Sequence, residues 1–357
     1  MESEVFFVPV KSNAGDDVIA EKTENLFLKS GIQRKIEEDS FIALKIHFGD
    51  KGNTGYIQPA WLSGMIRLLK KTTSRAFFTD TNTLYLGVRS NSVEHLRLAW
   101  EHGFSLERCG IPVFIADGLI GHDEEEVSVN LRWIKSAKIA SAFLHTDGLV
   151  CLSHFTGHIL TGFGAAIKNL GMGCASRAGK LEQHSDVHPW IKSKVCKECG
   201  ICLDYCPSGA IIQENGSVRI IEEKCIGCGE CLVVCNVGAV KMHWDEDSSR
   251  VQEKMAEYAY SVKKRLEGKI GFLNFLIKVT KNCDCMAKED PSVVEDIGIL
   301  ASDDPVALDQ ASVDLINRRS GKDLLKSLHD DVDWSVQLRH GEGIGLGSRR
   351  YRLIKIE

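Results

Sequence analysis

The chain has 357 residues, of which 43% are hydrophobic and 26% are charged, and this composition excludes a disordered or fibrous protein. At about 150 residues per domain, the length indicates about two domains, with enough residues for a core that needs no disulfides. The 44 Lys and Arg residues against 49 Asp and Glu residues give a formal net charge of −5. Because there is also no dense basic stretch, we expect no nucleic-acid partner.

The first ten residues, MESEVFFVPV, contain no basic stretch and no small-residue cleavage site, so they predict no secretory signal. The apolar stretch 270–279, taken as helical, is too short to span a bilayer, and Asn274 and Lys278 interrupt it. We therefore expect a cytoplasmic protein with no membrane partner. In that compartment, 13 cysteines indicate metal ligands or redox thiols before structural disulfides.

Strand-like and helix-like patterns alternate on both sides of a cysteine-rich centre. Short apolar runs predict strands at 41–48, 76–79, 112–116, 148–152 and 297–301. Helical spacing and capping residues predict helices at 57–71, 91–102, 132–142, 165–170, 249–267 and 304–317. Strands that alternate with helices predict an α/β fold with a largely parallel sheet.

Polar residues follow five of the predicted strands. They lie in the segments HFGDK at 47–51, DTNT at 80–83, DG at 117–118, SHFTGH at 153–158 and DD at 303–304. Ligands of open α/β sheets bind beyond the carboxyl ends of the strands. His47, Lys51, Asp80 and Asp117 are therefore candidate cleft residues. The alternative is that turns are simply rich in Asp, Asn and Gly.

The centre of the chain contains a duplicated cysteine motif. Each copy has the spacing C-x2-C-x2-C-x3-C, the two copies start 29 residues apart, and Asn236 stands where a second proline would follow the last cysteine. Three close thiolates of one copy and the fourth of the other bind each cluster in two-cluster ferredoxins. We therefore predict two [4Fe–4S] clusters. The ligands of cluster 1 are Cys196, Cys199, Cys202 and Cys235, and those of cluster 2 are Cys225, Cys228, Cys231 and Cys206.

The alternative for the duplicated motif is structural zinc, whose sites use paired C-x2-C hooks with two ligands each. Three hooks plus a fourth cysteine, present twice, favour iron–sulfur clusters. The motif divides the chain into a host domain at 1–187, a ferredoxin domain at 188–244 and a second host part at 245–357. The boundaries are near Val187 and Trp244, where His188-Pro189 and a polar stretch interrupt the pattern. The predicted fold is thus an α/β host interrupted by a small ferredoxin-like α+β insert.

A second metal or redox site is a further hypothesis. Its candidate residues are soft ligands near predicted strand ends: His154, His158, Cys174, Cys283 and Cys285. Two cysteines one residue apart bind a shared metal, form a reversible dithiol, or are simply buried. Two histidines four residues apart are a weak metal signal, and histidines hydrogen-bonded within a core are the alternative.

Patterns typical of nucleotide binding are incomplete in this chain. The segment from Gly173 to Leu181 has one residue too many for a P-loop and lacks its Ser or Thr. The GFG segment at 162–164 before the predicted helix 165–170 is a candidate anion seat, with Lys168, Arg177 and Lys180 as charges. Close helix packing with solvated basic residues is the alternative. No diagnostic flavin motif is visible.

Several long segments resemble a known family. They are KIHFGDKGNTGYI at 45–57, TDTNTLYLGVRSNSVEHL at 79–96, LSHFTGHILTGFGAAIKNLGMGCASRAGKLEQH at 152–184, NCDCMAKEDPSVVEDIGILASDDPVALDQAS at 282–312 and GIGLGSRRYRLI near the end. They resemble the uncharacterised family called domain of unknown function three-six-two. Similar members have a bacterial-type two-cluster ferredoxin inserted at the same place, so the resemblance implies such an insert. It implies no reaction.

Two functions remain open at this point. The first is an electron-transfer protein or reductase component, a candidate oxidoreductase, with a redox partner protein or a small-molecule substrate. The second is a non-redox metal- or anion-dependent enzyme, such as a lyase, or a binding module. In that case the insert is structural or docks a partner.

Overall fold

The structure is a computed structural model that describes residues 2–184, 188–214, 216–241, 247–288 and 290–356. The boundary residues Val187 and Trp244 lie outside the described residues. Among the described residues, no helix is both long enough and apolar enough to cross a membrane.

Strands and helices alternate over most of the described chain. The strands are β1 (Ser3–Pro9), β2 (Ile42–Ile46), β3 (Ala76–Asp80), β4 (Val113–Ile115), β5 (Glu124–Ser128), β6 (Ser136–Ala140), β7 (Gly148–His154), β8 (Thr156–His158), β9 (Gly162–Gly164), β10 (Trp190–Ile191), β11 (Ile211–Glu214), β12 (Ser217–Ile220), β13 (Val240–Lys241), β14 (Ile270–Leu276), β15 (Gly298–Ser302) and β16 (Tyr351–Lys355). The helices are α1 (Asp16–Lys29), α2 (Ser63–Thr72), α3 (Ser92–Glu101), α4 (Leu106–Cys109), α5 (Ser141–Leu144), α6 (Ala166–Gly171), α7 (Arg177–His184), α8 (Ile201–Asp204), α9 (Glu230–Val234), α10 (Ser248–Arg265), α11 (Pro305–Ser320), α12 (Leu324–Leu328) and α13 (Val336–Gly343).

Eight strands form the main sheet in the order β16-β1-β15-β14-β7-β2-β3-β4. Neighbouring strands run parallel except on the two sides of β15, which is antiparallel to both β1 and β14. The prediction of an α/β fold with a largely parallel sheet is confirmed. Because β15 is antiparallel to its neighbours, its carboxyl end lies at the opposite edge of the sheet from theirs.

Both faces of the main sheet are covered, which explains the nearly uninterrupted apolar strands. Alternate residues of β7 enter different cores: Leu149 and Cys151 belong to one, and Val150 and Leu152 belong to the other. Helices α6, α10 and α11 cover the first face, while α1 and α2 cover the second. The result is a three-layer α/β/α arrangement.

Two predicted helix starts are confirmed in detail. The Asn91 side chain accepts the backbone N–H of Glu94 at the start of α3. Asp304 caps α11 at the backbone N–H groups of Val306 and Ala307, Pro305 occupies its first turn, and Gly321 ends it in the left-handed conformation.

Two predicted helices are wrong. The segment 132–142 contains β6, which pairs antiparallel with β5, and its buried residues Ala137 and Ile139 alternate as in a strand. The segment 270–279 contains β14, whose seven residues are all buried in the middle of the sheet. A short run of apolar residues does not distinguish a buried strand from a buried helix.

The cysteine-rich segment has a small core of its own, formed by Ile211, Val218, Cys231 and Val240. Its first and last strands pair with each other: Trp190 lies opposite Lys241, and Ile191 lies opposite Val240. The chain therefore enters and leaves this segment at neighbouring points. Between them, β11 and β12 form an antiparallel hairpin.

Candidate functional site

A cavity of about 460 Å³ lies beyond the carboxyl ends of β2, β3 and β7. Among the predicted cleft residues, His47 and Asp80 line it, and His154 and His158 line it from the next strands. We call this cavity the cleft. The strand-end rule for open α/β sheets thus located its position.

Three other predicted residues lie elsewhere. Lys51 is exposed, and Asp117 is fully buried, where its carboxylate accepts a hydrogen bond from Asn82 Nδ2 at 2.8 Å. Asp303 lies at the opposite edge of the sheet because β15 runs antiparallel, and it pairs there with Lys35 at 3.1 Å.

A buried ion pair forms one wall of the cleft. Lys45 Nζ lies 2.8 Å from Asp80 Oδ1 and also donates to Asn169 Oδ1 at 2.7 Å. Burial raises the pKa of Asp80, but its neighbours, Lys45 first among them, lower it by more, so the net pKa lies below its ordinary value. The pair is therefore ionised although both side chains are at most 5% exposed.

Arg89 stands beside this pair. Its guanidinium contacts Asp50 Oδ2 at 3.0 Å and Tyr85 Oη at 2.8 Å, and Nη1 lies 2.9 Å from His47 Nε2. Burial and Arg89 lower the pKa of His47 well below its ordinary value. The imidazole at this wall is therefore uncharged near neutral pH.

Lys168 also lines the cleft, and it has no hydrogen-bond acceptor or ion-pair partner among the described parts of the chain. Burial and the nearby charges of Arg89 and Lys45 lower its pKa to about 8. Asp284 and Asp80 act on Lys168 only from beyond ion-pair distance, so an anionic ligand that contacts the ammonium group would stabilise it further.

The hypothetical second site is brought together in part. His158, Cys283 and Cys285 line the cleft, and one ligand atom from each lies within 4.8 Å of the other two. Cys283 and Cys285 form a disulfide. The cysteine count favoured metal ligands or redox thiols over structural disulfides, and this bonded pair in the wall of the cleft is an exception to that prediction.

His154 and Cys174 take different positions. His154 Nδ1 contacts Asp284 Oδ2 at 2.8 Å and Nε2 contacts the Ile277 carbonyl oxygen at 2.7 Å, so both ring nitrogens are engaged. Cys174 is fully buried and does not line the cleft, and burial raises its pKa well above the ordinary value.

The eight central cysteines lie around two small cavities. One cavity is lined by Cys206, Cys225, Cys228 and Cys231, which we call the inner set. The other is lined by Cys196, Cys199, Cys202 and Cys235, which we call the outer set. In each set three sulfurs come from one copy of the motif and the fourth comes from the other copy.

Backbone N–H groups point at sulfurs of both sets. The N–H of Ala210 donates to Cys206 Sγ at 3.2 Å, and the N–H of Ala239 donates to Cys235 Sγ at 3.1 Å. These two bonds occupy equivalent places in the two motif copies. N–H groups directed at cysteine sulfurs stabilise the thiolate form and tune bound iron–sulfur clusters.

The inner set lies against the host domain. Glu230, between Cys228 and Cys231, is 3% exposed and pairs with the fully buried Arg177 at 2.7 Å. It also contacts His122 Nε2 at 2.8 Å. Burial raises the pKa of Glu230, but His122 and Arg177 lower it by more, so the carboxylate is ionised.

An apolar contact accompanies this ion pair. Leu84 and Leu181 of the host pack with Leu232 of the cysteine-rich segment. A methyl group placed on Gly229 would lie 2.9 Å from Leu84 Cδ1, so backbone and side chain are in close contact here. Leu84 also lines the cleft. The outer set differs, since Cys199 is exposed and a methyl group on Gly200 would meet nothing within 4 Å.

The predicted anion seat before α6 is already occupied by a side chain of the protein. The Asp309 carboxylate accepts the N–H groups of Ala166 and Ile167, each at 2.9 Å. Of the predicted basic residues, Lys168 and Lys180 line the cleft, and Arg177 binds Glu230. The helix start is therefore an internal contact, and the charges act elsewhere.

A family match agrees with this architecture. The family described as "Domain of unknown function (DUF362)" matches residues 42–314. The chain belongs to this family. The DUF362 match includes the strands around the cleft, the cysteine-rich segment and the Cys283–Cys285 pair. The search of curated proteins returned no match.

Two solved structures are distantly similar to the chain. A protein from Thermotoga maritima has 8% identity and a TM-score of 0.46, over 88% of this chain and 61% of that one. The lactate racemase apoprotein from Thermoanaerobacterium thermosaccharolyticum has 13% identity and a TM-score of 0.41, over 77% of this chain and 51% of that one. The chain thus spans less than two thirds of the length of each.

The residues of the site that were not predicted include Lys45, Leu84, Arg89 and Glu230. Lys45 lies inside an apolar strand pattern, and a single lysine there is usually interpreted as a solvent-facing residue. Its apolar neighbours were the one sequence signal that this lysine is buried and ion-paired. The other three depend on contacts between distant segments, for which local patterns give no signal.

Proposed function

We propose that this chain binds two [4Fe–4S] clusters and transfers electrons between a redox partner and its cleft. The inner set would bind one cluster and the outer set the other. Bound clusters of this type supply one-electron transfer at low potential. The protein's part is to place the inner set beside the cleft and the outer set toward solvent.

One observation supports the proposal above the others. Two separate cavities are each lined by four cysteines, and each group of four combines three sulfurs of one motif copy with the last sulfur of the other. Zinc sites built from C-x2-C hooks do not need this exchange between copies. The donor set and its N–H groups fit a cubane cluster.

The proposal includes a ferredoxin-like insert at 188–244 within the α/β host. The pairing of β10 with β13 supports it, because an inserted unit starts and ends at neighbouring points. A separate small core supports it as well. The cluster content of the protein tests the residue roles, the insert and the electron-transfer function together.

The test is anaerobic purification with measurement of iron, acid-labile sulfide, zinc and flavin. We expect about eight iron and eight sulfide per chain, and visible absorbance that dithionite bleaches reversibly. Cys199→Ser and Cys228→Ser should each lose about half of the iron or more. Cys109→Ser, outside both sets, is the matched control and should retain the full content. Colourless protein with zinc and no sulfide would contradict the proposal.

A second candidate function is supported by a different observation. The cleft is lined by Lys45, Arg89, Lys168 and Lys180, and among the described residues Lys168 has no carboxylate within ion-pair distance. Such a cavity suits a small anion, as a non-redox anion-dependent enzyme or binding module requires. This function needs no electron transfer.

We expect Lys168→Met to weaken binding of a small anion about tenfold to a hundredfold, since a charged hydrogen bond is lost. Calorimetric titration with inorganic phosphate and with succinate measures this effect. Lys70→Met is the control, because exposed Lys70 lines a different cavity. Equal affinity of Lys168→Met and the parent protein for any anion that binds would contradict the assignment.

A further inference from the structure

Cys283 and Cys285 lie in the wall of the cleft rather than in the apolar core. Cys283 is 8% exposed, and both residues line the cavity. We propose that this pair is a redox-active dithiol that takes up two electrons from the cysteine-rich segment. This inference rests on the proposed electron-transfer function.

His158 distinguishes a thiol site from a metal site. Its Nδ1 accepts the backbone N–H groups of Leu160 and Thr161, both at 3.2 Å. Burial and Lys168 lower the pKa of His158 well below its ordinary value, so the ring is neutral. Because Nδ1 accepts two N–H groups, the one ring proton is on Nε2.

A metal-binding histidine has the opposite arrangement. It binds the ion through one unprotonated nitrogen and donates the other N–H to an acceptor. In this protein Nδ1 already accepts two N–H groups, and Nε2 carries the proton. A protonated Nε2 is a donor for a nearby thiolate, and hydrogen bonds to the thiolate form stabilise it.

A continuous set of contacts connects the inner set with this pair. Gly229, the residue after Cys228, lies against Leu84. Tyr85 follows Leu84 in the chain, and its hydroxyl contacts the Cys285 carbonyl oxygen at 3.5 Å. Both Leu84 and Tyr85 also line the cleft. The inner set is therefore the donor side for the pair.

The chemical change is a balanced two-electron step. The sulfur–sulfur bond of Cys283–Cys285 breaks, two electrons enter, and two protons from the solvent produce two thiols. The electrons come one at a time from a low-potential one-electron donor outside the chain. Reduced methyl viologen is this one-electron donor in the test.

The test counts electrons and thiols in anaerobically purified protein. Titration with reduced methyl viologen should consume about four electrons per chain, two for the clusters and two for the disulfide. Cys283→Ser with Cys285→Ser should consume about two, with unchanged iron and sulfide. Cys109→Ser is the matched control and should consume four. Alkylation with iodoacetamide and mass spectrometry should find both thiols only after reduction.

Three results would overturn the inference. One is a wild-type count of two electrons with Cys283 and Cys285 unchanged by reduction. Another is an extra zinc or iron per chain that the double serine variant loses. The third is an unchanged rate of reduction of the pair in Cys228→Ser, which would contradict supply from the inner set. Absence of sulfide in the parent protein is different, since it contradicts the proposed function itself.

Discussion

Arg177→Met is expected to destabilise the contact between the host and the cysteine-rich segment by about 3–5 kcal/mol, the usual cost of removing one partner of a buried pair. The Glu230 carboxylate would stay buried with His122 as its remaining side-chain partner. Hydrogen exchange of the amides at 225–232 measures the effect, and it should become about a hundredfold to several thousandfold faster.

The matched control for Arg177 is an exposed pair. Arg319→Met removes a partner of Glu295, and both side chains are at least half exposed, so we expect less than about 1 kcal/mol. The double variant Arg177→Met with Glu230→Leu should recover much of the lost protection, because no unpaired charge is left. Unchanged exchange in Arg177→Met would show that the ion pair does not stabilise this contact.

His95→Leu is expected to make the protein less sensitive to acid. His95 is fully buried, and burial lowers its pKa to about 3, against an ordinary value of 6.5. Between these values the unfolded chain binds a proton at His95 and the folded chain does not. The free energy of unfolding is therefore unaffected by His95 titration above pH 6.5, and it decreases as the pH falls below that value. From pH 7 to pH 5 the loss is about 2 kcal/mol.

Comparison of variants separates His95 from other titrating groups. Burial raises the pKa of Asp117 to about 6 and that of Asp309 to about 7, and such carboxyl groups favour folding as the pH falls. Urea unfolding at pH 7 and at pH 5 gives the free energy of unfolding of the parent protein and of His95→Leu. The difference between the two proteins should change by about 2 kcal/mol between these pH values. His145→Gln, at a side chain that is 71% exposed, should change nothing. A constant difference for His95→Leu would contradict the prediction.

Features of the fold and site were predictable where the interacting residues are close together in the sequence. The Asn91 cap and the Asp304-Pro305 start depend on residues a few positions apart, so local spacing was sufficient to predict them. The apolar runs at 132–142 and 270–279 were assigned to helices because burial removes the alternation that distinguishes a strand. Strands β1 and β16 were not predicted from the local pattern.

The cleft illustrates the same limit. The strand-end rule brought His47 and Asp80 to the cavity, because β2 and β3 run parallel. It misplaced Asp303, because strand direction depends on pairing and no local pattern reports that β15 is reversed. The link between Glu230 and Arg177 joins residues 53 positions apart, and no pattern within either segment predicts it.

The pairing of β10 with β13 has a consequence for protein engineering. Residues facing each other across two antiparallel strands have Cα atoms about 4.5–5.5 Å apart, a gap that two or three residues can bridge. The α/β scaffold could therefore be closed by a short linker in place of the whole unit, or receive a different small domain at the same junction. Natural variation by loss or exchange of modules would require no rerouting of the eight-stranded sheet.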